Sequence, residues 1–240
     1  MNAGKELKEI FFETKRLISA CEEMGLEPPM LPKGALEFME RPVFKKPASP
    51  QFDSLEALRA HMGDCRRCDL HNGRKHIVFG EGNPEARLVF VGEGPGFDED
   101  REGRPFVGKS GQLLTRIIEN GMGLTRESVY ICNVVKCRPP GNRDPKPDEI
   151  GVCLPFLKAQ LSIIGPEVIC ALGRVACQAL MGGDFKITRD RGQWRTYHGI
   201  PLMPTFHPAY LLRNAAAKRP VWDDVKSIMG KLGLEVTQNG

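Results

Sequence analysis

No apolar run in this 240-residue chain approaches the roughly 20 residues needed to cross a bilayer. The longest, LVFVG and VICALG, have the length of buried strands. The opening stretch MNAGKELKEIFFETKRL mixes charge with apolar residues and lacks the apolar block of a secretory signal. These absences lead us to expect a cytoplasmic protein whose thiols stay reduced. The glycine-rich stretch after LVFVG is neither GxGxxG with a dinucleotide acid nor a Walker loop. Internal repeats and low-complexity tracts are missing too. Charge is nearly balanced, with 34 Lys and Arg against 30 Asp and Glu, for a net charge of +4. That balance is compatible with nucleic acid without requiring it, since a small excess can be focused on one face.

What is present begins with eight cysteines, which in a reducing compartment need a reason other than disulfides. Cys65 and Cys68 form a CxxC in HMGDCRRCDLH, and two thiolates cannot complete a tetrahedral site.

Residues 5–25 carry apolar residues at helical spacing, and GLEPPMLPKG ends that pattern. The segment RPVFKKPASPQF, residues 41–52, reads as a linker. We therefore expect an N-terminal helical extension and linker over 1–53 and one larger domain over 54–240. Ser54 should cap a short helix whose apolar face is Leu55, Leu58 and Met62. From residue 86 onward strands alternate with helices. RLVFVGEGPG, a strand running into a glycine-rich turn, then SVYICNVVKC, PEVICALG and GIPLMPTFHP are the strands. This order implies an α/β fold, a central four-stranded parallel sheet covered by helices on both faces. Ligands of such sheets sit at the C-terminal strand ends, which here carry Glu93, Asn133, Gly173 and His207.

Three segments can carry chemistry. VGEGPGFDEDREGRPFVGKSGQLL permits close backbone approach to a ligand and crowds Glu93, Asp98, Glu99 and Asp100. By itself the acidic run reads as a solvated turn, and Phe106 as core. ICNVVKCRPPGNRDPKP puts Asn133 near the end of a buried strand, where an amide needs hydrogen-bond partners and where its donor and acceptor suit a nucleobase edge. The proline-stiffened loop beyond carries Lys136, Arg138, Arg143 and Lys146. TFHPAYLLRN places His207 before a Pro-led turn with Leu211, Leu212 and Arg213, apolar residues beside a cation of the kind that can enter a base stack.

In this order the three segments resemble the family 4 uracil-DNA glycosylases, the iron–sulfur branch of their superfamily. The resemblance covers roughly residues 60–232 and rests on GEGPGFDED with GRPFVGKSGQLL, on NVVKCRPPGNR and on HPAYLLR. It implies the uracil-DNA glycosylase fold and hydrolysis of the N-glycosidic bond of a flipped uracil, leaving an abasic site. It implies Phe106 as the ring stacked on uracil, Asn133 as the amide reading its edge, and Gly94 as backbone lining the pocket. His207 would stabilise charge on uracil O2, while Glu93 and Glu99 would handle water and the cationic sugar. Tyr210, Leu211, Leu212 and Arg213 would fill the gap in the DNA, with Arg138 and Arg143 facing phosphates.

Cys137 follows the second strand and Cys153 stands sixteen residues further on. There is no second CxxC, and His71 and His76 follow Cys68 too closely for a zinc finger. Four thiolates so spaced can hold an iron–sulfur cluster or an all-thiolate zinc. The resemblance implies a [4Fe–4S] cluster on Cys65, Cys68, Cys137 and Cys153, structural because the hydrolysis moves no electrons. Cys21, Cys132, Cys170 and Cys177 read as small hydrophobes.

The partner implied is uracil-containing DNA, with nucleoid association when bound and no membrane. Alternatives are a non-catalytic iron–sulfur nucleic-acid module, a zinc-stabilised hydrolase, and a superfamily relative that traps DNA through a loop histidine. Residues 136–153 contain no histidine, which argues against the last.

Overall fold

The computed structural model describes residues 52–235, with Met24 apart from them. They belong to one of two compact units of the chain, Pro50–Gly240. The helix expected over 5–25 and nearly all of the linker lie outside the described residues.

Among the described residues there are six strands and eight helices. Helix α1 is Leu55–Met62, and the Ser54 hydroxyl accepts from the Ala57 amide at 3.1 Å, as a cap should. Leu55, Leu58 and Met62 are its buried face. Strand β1 is the short Glu81–Gly82 and β2 is Leu88–Gly92. Helices α2 (Phe97–Glu102) and α3 (Lys109–Arg116) come next, then β3 (Tyr130–Asn133). Helix α4 is Pro147–Ile164, β4 is Val168–Leu172, and α5 is Arg174–Met181. The chain continues through α6 (Ile187–Asp190), β5 (Arg195–Tyr197) and β6 (Ile200–Thr205). It closes with α7 (Pro208–Arg213) and α8 (Lys218–Leu232).

The sheet runs β1-β3-β2-β4-β6-β5. Its four inner strands are parallel, as the alternating pattern implies, and every residue of β2, β3 and β4 is buried. That double-sided burial makes these strands read as continuous apolar runs. One apolar layer on a face of the sheet contains Val89, Val91, Leu157 and Leu161. The other contains Phe90, Leu114, Ile118 and Ile228.

Two antiparallel edge strands extend the expected four to six. Strand β5 escapes notice because its hairpin turn is His198–Gly199, with φ of 47° and 88°. Both turn residues are left-handed, the geometry that Asn-Gly usually announces. The acidic run after Gly96 is helical rather than a solvated turn, and Glu99 and Asp100 are buried in it. The Asp100 carboxylate accepts from the Lys75 amide at 2.8 Å and so ties α2 to the segment before β1.

Candidate active site

The C-terminal ends of β2, β3 and β6 open onto one cavity of about 390 Å³, within the usual size of small-molecule sites. Glu93, Gly94, Glu99, Phe106, Asn133, Arg143, His207, Tyr210 and Arg213 all line it. Three sequence segments up to 120 residues apart thus meet at one place. Gly173 stands behind the wall: a Cβ there would lie 2.9 Å from that of His207.

Asn133 is the last residue of β3 and is 1 % exposed. Neither its amide oxygen nor its amide nitrogen has a hydrogen-bond partner among the described residues. An unmet buried amide costs about 1–3 kcal/mol, so its aim into a cavity points to a ligand that supplies both partners. The ring of Phe106 lies beside it. A Cβ on Gly92 would sit 2.4 Å from the Asn133 oxygen and 2.6 Å from Phe106 Cζ, so glycine alone leaves room for the two to meet. The Phe106 and His207 rings have centroids 5.4 Å apart.

His207 caps α7, its Nδ1 accepting from the Ala209 amide at 3.1 Å. Burial, with Arg213 nearby, pushes its pKa down to about 4. The ring is therefore neutral near pH 7. With Nδ1 accepting, the proton stands on Nε2, leaving that nitrogen a donor.

Glu93 follows β2 and is partly buried. Burial first, then the negative charge of Asp144, raises its pKa to about 7, with Arg174 opposing. Asp144 and Arg174 are themselves paired. Sequence reasoning passed over both, since an ion pair joining a loop to a helix start leaves no local pattern.

The Glu99 carboxylate is occupied. It accepts from the amides of Val107 and Gly108 at 2.9 Å each and of Gly96 at 3.1 Å. Those bonds commit its oxygens to holding backbone.

The residues expected at the DNA divide. Tyr210 and Leu212 are exposed on α7, but Leu211 is 2 % exposed and packs in the core. Neighbouring residues on a helix point about 100° apart, so one leucine can face the core while the next faces out. The Arg143 fork holds Glu149 at 2.6 and 2.9 Å, fixing the loop before α4. The Arg138 guanidinium lies 5.1 Å from the centroid of exposed Phe97, outside the cavity wall.

On the other side of the β3–α4 loop, Cys65, Cys68, Cys137 and Cys153 border one apolar hollow. Arg67 donates to Cys65 Sγ and Arg74 to Cys137 Sγ, each at 3.3 Å. Among the described residues no three Cys, His, Asp or Glu are grouped so as to hold a single metal ion. This soft, all-sulfur donor set fits an iron–sulfur group. Cys132, Cys170 and Cys177 are buried in strands or helix, as small hydrophobes are. Among the described residues no helix is long and apolar enough to cross a membrane.

Comparison with known proteins points the same way. The profile of the Uracil DNA glycosylase superfamily matches residues 79–226, which include the cavity segments. A Type-4 uracil-DNA glycosylase of Thermotoga maritima is 48% identical over 188 residues, covering 75% of this chain and 96% of its own. One from Saccharolobus solfataricus is 42% identical, with 73% of this chain and 85% of its own covered. A Type-5 uracil-DNA glycosylase of Thermus thermophilus is 38% identical over 43% of this chain and 53% of its own. With that match spanning most of the sheet and every wall of the cavity, the chain belongs to the uracil DNA glycosylase superfamily.

Proposed function

We propose that this chain is a uracil-DNA glycosylase of the iron–sulfur type, hydrolysing the N-glycosidic bond of uracil and leaving an abasic site. The observation that carries this is Asn133, a buried amide with both polar atoms unpartnered at the floor of the cavity. Uracil turned out of the stack offers a carbonyl and an N–H side by side, which meet that amide. Cytosine presents a donor where uracil presents an acceptor, and an unmet buried pair penalises it strongly.

The reaction follows from the residues around that amide. Phe106 stacks on the flipped ring. Glu93, ionised, orients a water towards C1′ of the deoxyribose and favours positive charge there. As the C1′–N1 bond breaks, its electron pair passes into the uracil ring and negative charge gathers on O2. The Nε2–H of neutral His207 donates to that oxygen, a preorganised donor that needs no proton transfer. The water adds to C1′ and gives its proton to Glu93. Tyr210, Leu212 and Arg213 occupy the gap left in the DNA, while Arg138 and Arg143 line its path. Leu211 supports them from the core.

Cys65, Cys68, Cys137 and Cys153 hold a [4Fe–4S] cluster. The reading is supported by the four cysteines that border one hollow and by the likeness to Type-4 uracil-DNA glycosylases. The cluster supplies structure, tying the segment before the sheet to the loop beyond Asn133 and to α4. The domain from residue 54 onward contains the whole site, and the enzyme works on DNA in the cytoplasm. A non-catalytic binding module is disfavoured, because it has no use for a carboxylate, a stacking ring, an amide and an imidazole in one cavity.

The test is incubation of the iron-loaded protein with uracil-containing and matched thymine-containing oligonucleotides, followed by alkali. Cleavage is expected at uracil alone. Intact uracil strands would refute the reading.

A further inference from the structure

Phe106 has a backbone φ of 51°, a left-handed conformation rare for a bulky residue. Such a residue is strained and persists only where its surroundings hold it. The holders are identifiable on both sides of it. After Phe106, one Glu99 oxygen accepts the amides of Val107 and Gly108. Before it, the Pro105 carbonyl accepts from Arg126 Nη2. Beneath it, Gly111 of α3 lies so close that a Cβ there would be 1.9 Å from the Phe106 carbonyl carbon.

Arg126 is remote in sequence, lies outside the cavity, and is 8 % exposed. All three nitrogens of its guanidinium are committed. Nε donates to Glu81 on β1 at 2.7 Å, Nη1 to the Thr115 hydroxyl on α3 at 3.1 Å, and Nη2 to Pro105. Glu81 is also held by Arg104, at 2.8 Å. A lysine ammonium carries three donors on a single nitrogen and cannot reach three acceptors spread around a plane as the guanidinium fork does.

We infer that Arg126 is a positioning residue for the base-stacking ring, clamping the peptide before Phe106 while Glu99 clamps the peptide after it. The clamp sets the ring where it meets the Asn133 amide and the His207 imidazole. This rests on the glycosylase reading for its consequence but not for its geometry, and the two can fail separately.

The experiment compares wild-type protein with Arg126→Lys, Thr115→Val, Phe106→Ala and the double variant Arg126→Lys/Phe106→Ala. Thr115→Val removes one arm only and serves if Arg126→Lys does not fold. The first readout is amide hydrogen exchange of Val107 and Gly108. It should quicken several-fold in Arg126→Lys and Thr115→Val, while the β5–β6 hairpin stays unchanged. The second is inhibition by free uracil with KM and kcat on a uracil oligonucleotide. Free-uracil affinity and kcat/KM should fall about tenfold in Arg126→Lys, the scale of loss that a small misplacement brings. The same substitution should add little once Phe106 is already alanine, as a shared pathway requires. Unchanged exchange at Val107 and Gly108 overturns the clamp, whatever the substrate. Quickened exchange with unchanged uracil affinity, or additive losses in the double variant, overturns the positioning role. Wild-type protein inert on uracil overturns the glycosylase reading instead, and exchange still decides the clamp.

Discussion

Glu93 and His207 stand in one cavity and are pushed in opposite directions by the same cause. Burial favours the neutral form of each, so the acid rises to about 7 and the imidazole falls to about 4. If ionised Glu93 orients the water, kcat/KM climbs with pH through about 7. His207 stays neutral over that limb and contributes nothing to it. Asp144→Asn removes a negative neighbour and should move the midpoint down. Arg174→Ala removes a positive one and should move it up. pH profiles of uracil release from the three proteins check this, and shifts of the same sign would contradict it. The same raised pKa affects folding. At pH between the usual carboxylate range and about 7, the folded protein keeps a proton on Glu93 that the unfolded chain has released. That contribution to stability is present at low pH and is lost as pH rises through 7.

Helix α7 shows what one turn of helix does with two adjacent leucines. Leu211 is buried in the apolar cluster that includes Leu114, Met203 and Val221, whereas Leu212 is 48 % exposed. Leu211→Ala should therefore destabilise the fold by about 2–5 kcal/mol, measured by denaturant unfolding. Leu212→Ala should leave stability within about 0.5 kcal/mol and instead weaken action on duplex uracil, where a gap must be filled, more than on single strands. Equal stability losses for the two would refute this division of labour. Helix α2 makes a related point about charge. Its acidic run, FDEDRE, has the composition of a solvated turn, yet Glu99 and Asp100 are drawn inward because backbone amides from other segments meet their oxygens. Only the Gly96 amide, three residues before Glu99, is a local partner; Lys75, Val107 and Gly108 are not.

At the level of the whole molecule, the cysteine-lined hollow joins three parts of the chain that the sheet alone leaves unconnected. They are the segment before β1, the loop after β3, and α4. Cys137→Ala should lose bound iron and sulfide, visible absorption, thermal stability and uracil release together, read by metal analysis and calorimetry. Unaltered melting with activity tracking the oxidation state of bound iron would contradict a structural cluster. Zinc in place of iron and sulfide in the purified protein would contradict the cluster itself.

Much of this was legible before any coordinates. The four inner strands announced themselves because burial on both faces makes them continuous apolar runs. The Ser54 cap and the strand-end positions of Glu93, Asn133 and His207 followed from local pattern, whereas Phe106, which by itself reads as core, came only through the family resemblance. What the sequence determined by itself is thus what depends on neighbours along the chain. The tertiary structure alone decided the rest, because hydrogen bonds and burial are settled between segments far apart. It turned Leu211 inward and committed Glu99 to backbone amides. It buried Glu93 and set Asp144 near it, which together raise its pKa, and it brought Arg126 from beyond α3 to the carbonyl before Phe106.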